Sequence, residues 1–304
     1  MRKIIALLSM STILISGCAP STSPTADAPP VQPAATTPAP ALPTAPPATS
    51  TPSKMPPTPT PTPKELWLPP VDSSLSWQLG GEVNTSFDVD IYNLDAFETE
   101  ASLISRLHSE GKKVFCYISV GSWEDWRPDA DQFPAEVIGN DYEGWEGEKW
   151  LDIRQIDLLA PIMRARLDMC AAKGFDGVEP DNIDLHWADT GFEISYDDQL
   201  AYNIWLSEEA HARGLSIGLK NNEDQIADLL PHFDWALAEE CFVGEWCQEL
   251  IPFIEAGKPV FAAEYTDQLS YQDFIDLVCP PAADLGFYAV LKNRNLDEYR
   301  AVCQ

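Results

Sequence analysis

Basic side chains are scarce in this chain. Its 304 residues hold 19 Lys and Arg against 48 Asp and Glu, with four His, for a formal net charge of −29. Phosphate backbones need the opposite sign, so nucleic acid is excluded as a partner. Long apolar runs are lacking as well. Residues 4–15 form a short one that cannot span a bilayer as a permanent helix, and none of spanning length occurs in residues 65–304. No close-spaced Cys or His pair resembles a metal site, so zinc is not expected, nor any other metal or cofactor.

What is present falls into three stretches. Arg2 and Lys3 open a basic start, residues 4–15 follow as the apolar run, and Ile15-Ser16-Gly17-Cys18 closes it. This is the pattern of a bacterial lipoprotein signal over residues 1–18. Cys18 then becomes the lipidated N-terminus and tethers an exported protein to a membrane. Residues 19–64 are almost entirely Pro, Ala, Thr and Ser. They cannot bury enough apolar surface to offset their ordering entropy, and proline stiffens them into a disordered but semi-rigid stem. Residues 65–304 are then one domain, of a size common for a (β/α)-barrel.

Only Arg2, Lys3, Lys54, Lys64 and Asp27 carry charge before residue 65, which leaves 15 basic against 47 acidic side chains in the domain. An acidic cleft would concentrate a polycationic ligand, although solubility of an exported protein accounts for the charge equally well. Beyond Cys18 six cysteines remain, at 116, 170, 241, 247, 279 and 303. An even number in an exported chain points to disulfides, with Cys241–Cys247 and Cys279–Cys303 plausible by proximity and fifteen pairings open.

Strand-like and helix-like segments alternate through the domain. Segments 89–95, 113–121, 150–154, 175–181, 215–221, 235–241, 260–265 and 287–292 read as strands. Segments 98–110, 158–173, 195–213 and 223–230 read as helices. Leu103, Ile104 and Leu107 have helical spacing, while Pro161 and Gly174 punctuate the start and end of the second helix. Such alternation predicts a parallel sheet, and a strand count near eight favours an α/β fold closed as a (β/α)8 TIM-like barrel. Catalytic groups of such barrels sit at the C-terminal strand ends. Here those ends read Asp95, Ser119 to Ser122, Asp152 with Arg154, Glu179 with Asp181 and Asn182, Lys220 with Asn221, Glu239 with Glu240, and Glu264 with Tyr265.

From Trp77 to about Arg294 the chain resembles glycoside hydrolase family 114, the endo-α-1,4-polygalactosaminidases. The resemblance rests on Trp77-Gln78, Asp88-Val89-Asp90, and the run from Val114 to Ser122. It continues through Glu124 to Asp129, Trp150 to Arg154, Gly174 to Asn182, Gly218 to Asn221, and Ala238 to Cys241. It implies a (β/α)8-like barrel, endo-hydrolysis of α-1,4-linked galactosamine, and a catalytic carboxylate pair at Asp181 and Glu239. Glu179 stands where many relatives have Asp, so Glu179 competes with Asp181, and Glu240 competes with Glu239.

Glycosidic cleavage needs one carboxylic acid to protonate the leaving oxygen and a second carboxylate to attack C1 or activate water. Strand alternation puts Glu179 and Asp181 on one side of their strand at different depths, whereas Glu239 and Glu240 should point opposite ways. Asp181 is expected as the nucleophile or base-side carboxylate and Glu239 as the general acid. Lys220 would hold these carboxylates in register. Trp77, Gln78, Tyr117, Asn182, Trp123 and Trp126 are candidates for the sugar subsites, and Asp90, Asp95 and Asp152 for contacts to substrate ammonium groups. Arg127 with Glu124 would brace a loop, and His186 would be a loop hydrogen-bonder. Two other readings stand beside this one: a non-catalytic carbohydrate-binding lipoprotein, and a glycosidase for a different amino-sugar polymer.

Overall fold

The computed structural model describes residues 66–303. The signal, Cys18 and the stem therefore lie outside the described residues. The chain enters through β1 (Leu75–Gln78), β2 (Ile91–Asp95), α1 (Ala101–Ser109) and β3 (Lys113–Ser119). A three-stranded excursion follows, β4 (Ser122–Glu124), β5 (Ile138–Asp141) and β6 (Glu148–Leu151). The main sheet resumes with α2 (Ile156–Lys173), β7 (Gly177–Asp181), α3 (Tyr196–His211), β8 (Ser216–Lys220), α4 (Ile226–Leu229) and β9 (Trp235–Glu239). It ends with α5 (Ile251–Glu255), β10 (Val260–Tyr265), α6 (Tyr271–Asp273), α7 (Cys279–Leu285), β11 (Tyr288–Lys292) and β12 (Arg300–Val302).

Strands β1, β2, β3, β7, β8, β9, β10 and β11 pair in parallel in that order, and β12 joins β11 antiparallel. The chain's last segment bridges the seam back to β1. Leu79 and Gly80 donate their amides to the Leu296 carbonyl at 3.0 and 3.1 Å, and Arg300 donates to the Leu75 carbonyl at 3.2 Å. The result is the expected TIM-like barrel, nearly closed by hydrogen bonds.

Inside, near the N-terminal strand ends, Phe115 and Trp235 stack at 4.2 Å and 8°, with Trp235 edge-on to Phe261. Their bulk is accommodated by missing side chains opposite. A Cβ on Gly177 would come within 2.7 Å of Phe115, and one on Gly218 within 2.4 Å of Trp235. Outside, α2 and α3 bury Leu159, Met163, Leu167, Tyr202 and Leu206 against the sheet. Ser195 caps α3 reciprocally with Asp198, and Gly174 ends α2 at φ 101°.

Three disulfides are present. Cys116–Cys170 ties β3 to α2, Cys241–Cys247 closes the turn after β9, and Cys279–Cys303 ties α7 to the end of the chain. Two features differ from the sequence expectation. The strand at 150–154 is β6, which belongs to the antiparallel side sheet β4-β6-β5 and not to the barrel. Its place among the eight parallel strands is taken by β1, whose four residues are too few to show a period. The helix at 223–230 is a 3-10 turn followed by the single-turn α4.

Candidate active site

Above the aromatic floor the barrel interior turns polar. Glu179 is fully buried in mid-barrel, accepting from Trp77 Nε1 at 3.0 Å, Asn93 Nδ2 at 2.6 Å and Lys220 Nζ at 3.1 Å. Burial pushes its carboxyl up to about 7 against the pull of Lys220. One alternation step further along β7, Asp181 accepts from Tyr117 Oη at 2.9 Å and from Lys220 at 2.7 Å. Glu239, the last residue of β9, lies 3.1 Å from the same Lys220 nitrogen. Glu239 also takes the Tyr265 hydroxyl and Asn221 Nδ2 at 3.2 Å, while its own amide donates to Asn221 Oδ1 at 2.8 Å.

Burial alone would discharge Lys220, but Asp181, Glu239 and Glu179 around it hold its ammonium well above the usual lysine range. Burial, then the neighbouring Asp181 and Glu239 charges, likewise keep the Tyr117 and Tyr265 phenols protonated as donors. One cation on β8 thus clamps three carboxylates from the two flanking strands, β7 and β9.

Asp181, Glu239, Lys220, Tyr117 and Tyr265 form the floor of a cleft of about 480 Å³ at the C-terminal mouth, with Glu179 sealed beneath it. Trp77 lies under Lys220, its ring centroid 5.0 Å from Nζ. Asp95 pairs with Arg127 at 2.8 Å, and Arg127 also holds Glu124. Trp126 lines one wall, half exposed. Asn182 is buried with φ 61°, and its amide reaches Ser119 Oγ, Ser122 Oγ and Glu148. The clamp thus joins Asp181, Glu239, Glu179, Tyr117, Trp77 and Lys220. Asp95, Trp126 and Asn182 stand around the same cavity.

Four expected substrate contacts lie outside the catalytic cavity. Asp90 precedes the first residue of β2, at the opposite barrel end, where it accepts from Ser74. Gln78 follows the inward-facing Trp77, so alternation turns it away from the barrel axis, where it ties the loop at Gly80, Glu82 and Asn84 and lines a neighbouring depression instead of the catalytic cavity. Asp152 leaves the side sheet and forks onto Arg154 at 2.7 and 2.9 Å. Trp123 donates to the Ala130 carbonyl and packs on the core, away from the cleft. Glu240 differs too. The strand ends at Glu239, Glu240 adopts φ 55°, and its carboxylate turns back to the cleft rim to meet Arg294 at 2.7 Å. His186 pairs with Asp224 at 3.1 Å and does not line the cleft.

The side sheet supplies cleft residues that sequence reasoning passed over: Tyr142, Trp145 and Glu148. The Ser122 hydroxyl donates to Glu148, whose carboxyl is pushed up to about 7 by burial. Asp184, just past β7, also faces the cleft. Among the described residues no group of three or more His, Cys, Asp and Glu is arranged to hold a metal ion.

A family model described as glycoside-hydrolase family GH114 matches residues 56–304. Ega3 of Aspergillus fumigatus, solved in complex with galactosamine, is 36% identical with a TM-score of 0.75, over 79% of this chain and 98% of that one. The glycoside hydrolase domain of PelA from Pseudomonas aeruginosa shares the fold, with a TM-score of 0.60 at 15% identity over 75% of this chain and 98% of that one. No curated protein matches the chain.

Proposed function

The chain belongs to glycoside-hydrolase family GH114, and on that footing we propose that it is an endo-acting hydrolase of α-1,4-linked galactosamine polymers, working through Asp181 and Glu239. The observation that carries the reading is the shared lysine. Two carboxylate oxygens held 2.7 and 3.1 Å from one nitrogen lie no more than about 6 Å apart, an upper limit that admits the ~5–5.5 Å separation of retaining glycosidases and lies below the inverting range. Galactosamine bound to a relative 36% identical supports the choice of sugar. The cleft runs on into a neighbouring depression of about 600 Å³ through Leu79, Asp95 and Glu98, as a chain-binding groove requires.

In the proposed reaction Asp181 attacks C1 as Glu239 gives its proton to the leaving oxygen, so the C1–O bond breaks as the ester bond forms. Glu239 then takes a proton from water, whose oxygen displaces Asp181 from C1. Tyr117 and Lys220 aim the Asp181 carboxylate, and Tyr265 with Asn221 orient Glu239. Asp181→Asn and Glu239→Gln should each lower kcat by at least ~10³-fold with the fold intact, and the first product seen by NMR should keep the α configuration. Activity retained in both variants would remove this assignment, and a β product would remove the retaining step.

The three disulfides support export. Cys18 as lipid anchor and residues 19–64 as a stem complete the proposed layout.

A further inference from the structure

Almost every carboxylate around the cleft has a partner. Asp95 and Glu124 hold Arg127, Glu240 holds Arg294, and Glu148 takes Ser122 and Asn182. Among the described residues, two carboxylates lining the cavity have no hydrogen bond or ion pair: Glu98, which is exposed on the rim, and Asp184, which is not. The backbone flanking Asp184 is nonetheless pinned. The Ile183 carbonyl accepts from Asn203 and Asn222, each at 2.9 Å, and the Leu185 amide donates to Gln199 Oε1 at 2.7 Å. Four buried amide side chains of this kind, Asn182 included, hold the segment, while the one carboxylate within it stays unmatched. All three cleft cations are already engaged by other acids, so none answers Asp184.

Tyr142 Oη is the complementary case. It lines the same cavity without a protein partner, and Asp181, Glu148, Glu239 and Asp184 all act on it electrostatically. A pinned acceptor and a free donor beside Asp181 match a ligand that brings its own cation and its own oxygen. We propose that Asp184 binds the ammonium group of a galactosamine unit at the scissile linkage, with Tyr142 donating to an oxygen of the same unit. This deepens the reading above and rests on it: Asp184 is what separates a free amino sugar from a neutral one. Its electrostatics agree. Burial, then Asp181, push its carboxyl up to about 7, Glu223 and Glu239 act in the same direction, and Lys220 alone opposes them. An arriving ammonium supplies the missing countercharge.

The test uses the full chain as wild type, Asp184→Asn and Asp184→Glu. In calorimetric titrations at pH 7 the wild type should bind galactosamine at least about tenfold more tightly than galactose. Asp184→Asn should lose that preference and Asp184→Glu keep part of it. The Asn variant should melt no lower than wild type, because Asp184 has no protein partner to lose. On the free-amine polymer Asp184→Asn should raise KM about tenfold or more with kcat within about threefold. An unchanged galactosamine preference in Asp184→Asn overturns the proposal, as does a loss of kcat at constant KM. Failure of the wild type to cleave the polymer overturns the function proposed above, but the monosaccharide titration still decides Asp184.

Discussion

A single ammonium organises the floor of this cleft. Lys220 meets Glu179, Asp181 and Glu239 within 3.1 Å, and each of those acids comes with donors of its own. Depth separates their roles. Glu179 is sealed in mid-barrel by Trp77, Asn93 and Lys220, whereas Asp181 and Glu239 border the cavity. Glu179→Gln should therefore cost stability before chemistry. It puts an NH2 among three donors, an unmatched set costing about 1–3 kcal/mol. We expect a lower unfolding temperature, and a kcat loss at least ~10-fold smaller than that of Asp181→Asn. Equal losses of kcat in the two variants would instead give Glu179 a direct part in the reaction. The strand ends at Asp181 and Glu239 were legible in the sequence, since each closes an apolar run. Asp184 and Glu148 were not, because what distinguishes them is which partners reach them through space.

At the scale of elements, the barrel depends on where bulk is absent. Gly218 faces the Trp235 ring, itself stacked on Phe115, so an added methyl has no direction in which to yield. Gly218→Ala should destabilise by about 1–3 kcal/mol, lowering the unfolding temperature by roughly 3–10 °C for a domain of this size. A melting curve unchanged within a degree would show that the floor can repack. Most strands were recoverable from their apolar runs, but β1 was not, because Leu75–Gln78 spans only two alternations beside a Pro-rich entry. The side sheet escaped for another reason. Glu148–Leu151 carries strand residues, yet only its antiparallel pairing with β4 and β5 shows that it overhangs the cleft and delivers Tyr142, Trp145 and Glu148 to it.

For the whole molecule, the acidic excess becomes a dependence on pH. Burial raises Glu148, Glu179, Asp184 and Glu264 to about 7 each. A carboxyl raised by folding holds its proton more tightly in the native state than in the unfolded chain. Between the ordinary carboxylate value near 4 and about 7 the native state therefore binds more protons, and stability falls as pH rises. The contribution is complete below that window and lost above it. Calorimetry should give an unfolding temperature at pH 7.5 lower than at pH 5 by roughly 5 °C or more, with a smaller gap in Asp184→Asn. A higher value at pH 7.5 would contradict these shifts. The proposed anchor is tested at the same scale: Cys18→Ser should move the protein from the membrane fraction to the soluble fraction.

By itself the sequence determined the alternation of strands and helices, the acidic balance and which strands end in acids. Apolar runs, glycine and proline punctuation and side-chain charge are all local properties. Only the tertiary structure decided that Asp181 and Glu239 share Lys220, that Glu240 turns back to the rim, that Asp90 lies at the far end, and that Asp184 stands without a partner. Those facts depend on strand register, on depth along the barrel axis and on chain returning from distant positions, and no window of neighbouring residues contains them.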